Sequence, residues 1–93
     1  MTDEARVARR VVVHGRVQGV FFRDTCRREA VAHGVEGYVR NELDGTVLAE
    51  FEGPATAVEA MLEWAHHGPP RAVVSRVDVE EIPAGGRRGF RIA

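Results

Sequence analysis

Alternation and helical periodicity together predict an α+β fold. The expected form is a βαββαβ sandwich, with two helices on one face of a mostly antiparallel sheet and a short extra C-terminal strand. Three observations carry this: an alternating valine-rich run near the N-terminus, two segments with apolar residues at helical spacing, and an Asp-Gly turn between two alternating stretches. With 93 residues and no Pro/Gly-rich linker longer than a turn, the chain is expected to form one domain, 1–93, with an ordered core from about residue 7 to 93.

The first strand is expected from Arg9 to His14, with Val11 and Val13 on one face and Arg10, Val12 and His14 on the other. A helix follows from Phe22 to His33. Phe22, Cys26 and Ala30 recur every four residues as its apolar stripe, Arg27, Arg28 and Glu29 turn to water, and Gly34 suits the position just past its end. Val35 to Asn41 and Gly45 to Glu52 form a hairpin about Asp44-Gly45; alternation puts Val47, Ala49 and Phe51 on the core face and Leu48, Glu50 and Glu52 on the other. Gly53-Pro54 opens a second helix, whose Val58, Met61, Leu62 and Ala65 follow the i, i+3, i+4, i+7 pattern until Gly68-Pro69-Pro70 ends it. Ala72 to Glu81 reads as a further strand, Pro83 to Gly89 as a flexible turn, and Gly89 to Ile92 as the closing strand. This order matches the ferredoxin-like sandwich, in which the first two strands run parallel with the third antiparallel between them. The loop after the first strand and Asn41 then share one end of the sheet, about 10 Å apart.

Composition removes several functions. The formal charge of −1 offers no global basic field for nucleic acid, no segment is long and apolar enough to span a membrane, and the first ten residues lack a leader-like apolar run. A single cysteine forbids an internal disulfide and is compatible with a reducing compartment, so a cytoplasmic, soluble protein is expected. All thirteen basic residues are arginine. Nucleoside-triphosphatase loops and Schiff-base catalysis both need a lysine that this chain lacks.

The segment Gly15-Arg16-Val17-Gln18-Gly19-Val20-Phe21-Phe22-Arg23 joins the first strand to the first helix. Its glycines permit angles that let successive N–H groups converge into an anion nest, the helix start adds unpaired donors and partial positive charge, and Arg23 offers a planar fork to two phosphate oxygens. Taken alone, the loop reads equally well as a tight turn carrying a surface arginine.

A second segment, Gly37-Tyr38-Val39-Arg40-Asn41 followed by Gly45, Val47 and Gly53, joins the first in a resemblance that covers nearly the whole chain: the sequence resembles the acylphosphatase family. The resemblance implies hydrolysis of a mixed carboxylic-phosphoric anhydride to a carboxylate and phosphate, with no metal or organic cofactor. It implies that Arg23 and the loop residues Arg16, Val17, Gln18, Gly19, Val20, Phe21 and Phe22 bind the phosphoryl group, while the Asn41 side chain orients the attacking water. Arg16 could contribute its side chain or only its N–H. An acyl phosphate is the implied substrate and inorganic phosphate the implied product and inhibitor; no nucleic acid or membrane partner is expected, and a monomer is. Phe21 is bulkier than the small residue many relatives carry there, and Ile92-Ala93 stands where others often end in an aromatic, which bears on the rim of the site. The alternatives are a non-catalytic phosphate-binding module and a regulatory ferredoxin-like domain. Because the chain starts and stops with the fold, a free-standing enzyme is expected over either.

The remaining candidates read as structural. Cys26 belongs to a core stripe. His66 and His67 diverge by about 100° on a helix and suit its negative C-terminal end better than a metal. His14 lies on the solvent side of its strand, and Ser75 lacks a nucleophile-elbow context. Glu50 with Glu52, and Glu59 with Glu63, are expected on solvated faces. Arg87-Arg88 is expected in a solvated turn with at most a weak anion contact, and Tyr38 and Trp64 as packing residues.

Overall fold

The computed structural model describes residues 5–93; residues 1–4 of the expected domain lie outside the described residues. Seven elements run in the order β1 (Arg6–Arg16), α1 (Phe22–His33), β2 (Glu36–Asn41), β3 (Val47–Pro54), α2 (Ala55–Ala65), β4 (Val73–Ile82) and β5 (Phe90–Ile92). They build one five-stranded sheet of order β4-β1-β3-β2-β5. β3 is antiparallel to both β1 and β2, so β1 and β2 run parallel with β3 between them, and β5 adds parallel to β2 at the edge. The ferredoxin-like expectation therefore holds in order, direction and pairing.

Helix α1 has the bounds its periodicity predicts, burying Phe22, Cys26 and Ala30. Gly34 closes it at φ 70°, a left-handed conformation glycine adopts at little cost, and its N–H returns to the Val31 carbonyl at 3.1 Å. In α2 the buried residues are Val58, Met61 and Ala65, while Pro54 forms the cap outside the first turn. Both stripes meet the face of the sheet bearing Val11, Val13, Val39, Val47, Ala49 and Phe51, which makes one continuous core. The Phe22 and Trp64 rings, 5.0 Å apart, join the two helices.

Strand β1 is longer than expected at both ends. Its pairing with β3 starts at Arg6↔Pro54, and a bulge between His14 and Gly15 lets it continue along β4 as far as Arg16↔Val73. β3 begins at Val47, later than expected, because residues 42–46 are held in the turn: Glu42 N–H donates to Thr46 O at 2.9 Å and Gly45 N–H to Glu42 O at 3.1 Å. The Asp44 carboxylate locks that turn, accepting from the Thr46 N–H at 3.0 Å and its hydroxyl at 2.6 Å.

The second face of β3 departs further from expectation. Glu50 and Glu52 are buried, with Glu52 fully shielded from solvent. Loop 83–89 folds back over them, and Arg87 bonds both carboxylates. Glu52 also accepts from Arg6 at 3.0 Å and from the Gly85 and Gly86 N–H groups at 2.9 Å each. Glu50 accepts from Arg10 Nε at 2.9 Å and Arg87 Nε at 3.1 Å. Arg87 is thus a half-buried clamp and no solvated turn residue. Burial opposes ionisation of Glu52, but the two main-chain donors and two guanidiniums outweigh it and hold the carboxyl at about 2 against an ordinary 4.5.

The other structural readings hold. Burial pushes the Cys26 thiol well above its usual range, so it stays a protonated core group. His14 lies on the outer face within 2.9 Å of Asp78, and His66 Nδ1 lies 2.8 Å from the Leu62 carbonyl near the end of α2. Glu59 and Glu63 are exposed. No helix among the described residues is long and apolar enough to cross a membrane.

Candidate active site

The β1–α1 join is shaped by its backbone. Gly15 takes φ 123° at the bulge, where an added Cβ would lie 2.2 Å from the Val73 carbonyl oxygen, so only glycine lets the strand turn there beside β4. Val17 and Val20 drop into the core and anchor the loop from below. Phe21 then adopts φ 64°, ψ 26° immediately before the helix, the one non-glycine residue with positive φ among those described. A bulky residue in this region costs about 1 kcal/mol or more, the kind of strain that gathers at functional sites. Phe21 provides no side-chain cap, and the main-chain bond closing the join is Thr25 N–H to Phe21 O at 3.1 Å. The first-turn N–H groups of Phe22, Arg23 and Asp24 are left with no intrahelical acceptor.

Over these donors lies a pocket of about 360 Å³ lined by Val17, Gly19, Phe21, Phe22, Arg23, Asp24, Asn41 and Ile92. The join therefore shares a cavity with the end of β2. Arg23 is exposed and, among the described residues, makes no ion pair or hydrogen bond, so its guanidinium can meet an incoming anion without breaking a contact. Asp24, the one carboxylate among the described residues of the lining, is bound by Arg28 at 2.8 Å one turn on, which offsets its repulsion of an anion. Asn41 is placed by the last rung of the β2–β3 hairpin, Asn41↔Val47. Its Oδ1 is buried with no hydrogen-bond partner among the described residues. An orphaned acceptor of this kind costs about 1–3 kcal/mol unless a ligand or water donates to it, so it marks a place where a donor is needed.

The pocket thus unites Val17, Gly19, Phe21, Phe22, Arg23 and Asn41 from the sequence-derived set, while Arg16, Gln18 and Val20 are outside its lining. Gln18 points elsewhere, donating from its side-chain nitrogen to Glu42 O at 2.8 Å and Thr46 O at 3.0 Å. Ile92, noted in the sequence for its terminal position, reaches the pocket because β5 pairs with β2 at Val39↔Ile92. Asp24 was missed; its signal was its place in the first helical turn directly after Arg23. Among the described residues no three His, Cys, Asp or Glu side chains gather as a metal site. The chemistry on offer is anion capture by a guanidinium and main-chain amides, facing a neutral carboxamide whose oxygen wants a donor.

Comparisons with known proteins converge on one family. A family model described as acylphosphatase matches residues 9–92. An acylphosphatase of Rubrobacter xylanophilus is 58% identical over 84 residues, covering 89% of this chain and 76% of that protein. Among solved structures, an acylphosphatase from Coxiella burnetii superposes with a TM-score of 0.93 at 36% identity, covering 100% of both chains. One from Bacillus subtilis gives 0.90 at 35% identity, covering 94% of this chain and 98% of that one.

Proposed function

This chain belongs to the acylphosphatase family, and from that premise we propose how its pocket works: Arg23 and the loop amides hold the phosphoryl group of an acyl phosphate while Asn41 aims the water that attacks it. The protein is an acylphosphatase, hydrolysing the carboxyl-phosphate bond to a carboxylate and inorganic phosphate. The observation that carries the assignment of roles is the buried, partnerless Asn41 Oδ1 in the same cavity as the uncommitted Arg23 guanidinium.

The chemistry asks for little more. A carboxylate leaves with a conjugate-acid pKa of about 4, so it departs without a general acid. Phosphoryl transfer passes through a loose transition state with charge on its peripheral oxygens, and positioning with electrostatic stabilisation supplies the acceleration. The Arg23 fork and the N–H groups at the start of α1 meet those oxygens. Asn41 Oδ1 accepts a hydrogen bond from the water and holds its oxygen in line with the scissile bond; as an amide it works at any ordinary pH. The water's proton passes to a phosphoryl oxygen of the substrate, the P–O bond to the carboxylate breaks, and phosphate is released. No metal or organic cofactor takes part in this scheme. The same reading takes residues 1–93 as one domain acting as a cytoplasmic monomer on a small acyl phosphate, with inorganic phosphate as competitive inhibitor.

The test is phosphate release from benzoyl phosphate in the presence of a chelator. Sustained turnover there supports the scheme. No release from a folded protein would move the assignment to a phosphate-binding module.

A further inference from the structure

The geometry points to Gln18 as a positioning residue that ties the phosphate loop to the hairpin carrying the catalytic amide. Gln18 is the only glutamine in the chain and sits half-buried in the middle of the loop. Its side-chain nitrogen lies 2.8 Å from Glu42 O and 3.0 Å from Thr46 O. Both partners are acceptors, so the NH2 end and not the carbonyl end must face them, and both of its hydrogens are used. None remains for a phosphate oxygen. The sequence had grouped Gln18 with the phosphate ligands; in this arrangement it can serve a phosphate only through its main-chain N–H.

The two carbonyls are the arms of the turn beyond Asn41. Glu42 follows Asn41 directly, and Glu42 N–H already donates to the Thr46 carbonyl that Gln18 also engages. The loop and Asn41 come from strands with β3 between them, and no main-chain hydrogen bond joins the loop to this turn among the described residues. One carboxamide therefore fixes where the phosphoryl site stands relative to the water-aiming side chain. Arg23 and the loop amides, by contrast, belong to one continuous segment and keep their mutual geometry without the tie.

This inference rests on the role assigned to Asn41, and the experiment separates the two. Gln18→Met keeps the side chain's length and removes both donors; Gln18→Asn keeps the amide but is one methylene too short to span both carbonyls, and serves should the first variant unfold. Since misplacing reacting groups by about 1 Å costs around a hundredfold, either variant is expected to lower kcat by about ten- to a hundredfold, with competitive inhibition by inorganic phosphate changed less than about twofold. In an Asn41→Ala background the same substitution is expected to change kcat by less than about threefold, because no aimed water is left to misplace. A phosphate inhibition constant that weakens as much as turnover falls would make Gln18 a direct ligand and overturn the inference. So would an equal loss of kcat in both backgrounds, or no loss in either. If Asn41→Ala alone leaves turnover intact, the earlier reading fails first, and this one with it.

Discussion

Val13 on β1 and Asn41 on β2 pair with opposite sides of one residue of β3, Val47, so they stand two strand spacings apart, about 10 Å, at the same end of the sheet. The chain leaves β1 three residues beyond Val13 and enters the loop that precedes Arg23, while β2 ends at Asn41 itself. In the proposed scheme, a phosphoryl group and a water fill the span that this shared rung brackets. Arg23, in the first turn of α1, and Asn41, at the end of β2, belong to separate elements, so the roles proposed for them can be removed separately.

Replacing Arg23 by Gln removes the one guanidinium among the described residues of the pocket lining while keeping side-chain bulk. Capture of the phosphoryl group and stabilisation of its transferring oxygens should fail together. The expected loss in kcat/KM is about 10²- to 10³-fold or more, with inhibition by inorganic phosphate lost in parallel. Steady-state kinetics with phosphate as inhibitor check this; retained phosphate inhibition would contradict the role.

Asn41→Ala should divide those effects. The nest and Arg23 remain, so phosphate still competes, while kcat falls by about 10²-fold or more because the water is no longer aimed. Since the substitution also removes a buried acceptor without a partner, it should leave stability unchanged or raise it by up to about 1 kcal/mol. Urea unfolding beside the kinetics reads both; a strongly destabilised variant would mean that Oδ1 serves the fold.

Gly15→Ala tests the backbone that aims the loop. The new Cβ would meet the Val73 carbonyl at 2.2 Å, and the φ of 123° is foreign to alanine, so the bulge must shift. A stability loss of about 2–3 kcal/mol is expected. Turnover should fall well below temperatures at which the variant unfolds, because the loop hangs from this residue. Thermal unfolding and kcat at 25 °C decide between local and global damage.

Much of this was legible in the sequence because it is local. The i, i+4 stripe of Phe22, Cys26 and Ala30 gave α1 its bounds, and Asp44-Gly45 announced the hairpin. Arg23 and Asn41 stood in segments with recognisable motifs. What stayed hidden depends on distant pairings. Alternation assigns Glu50 and Glu52 to a face that an open sheet shows to water, and it cannot register that Arg87, 35 residues after Glu52, returns to cover it. The donors of Gln18 likewise find acceptors 24 and 28 residues away. Motif position marked Gln18 as part of the loop; only the folded chain shows which way its side chain turns.

The covered face yields a prediction with a defined sign. Burial alone would raise the Glu52 pKa, yet the N–H groups of Gly85 and Gly86 with Arg87 and Arg6 bring it to about 2 from 4.5. A carboxyl whose folded pKa lies below its unfolded one binds its proton more readily in the unfolded chain, so its stabilisation is complete above about pH 4.5 and disappears as pH falls toward 2. A difference of that size corresponds to roughly 3 kcal/mol. Glu50, bound by Arg10 and Arg87, shifts in the same direction and adds to the effect. Glu52→Gln keeps the volume but removes one of the two carboxylates that Arg87 holds and the nearer of the two beside Arg6, and should cost about 2–3 kcal/mol at pH 7. The decisive feature is convergence: urea unfolding free energies of the parent and Glu52→Gln should differ most at neutral pH and approach each other between pH 4.5 and 2. A gap that stays constant across that range would show that the carboxylate's charge is not what fastens loop 83–89 to the sheet.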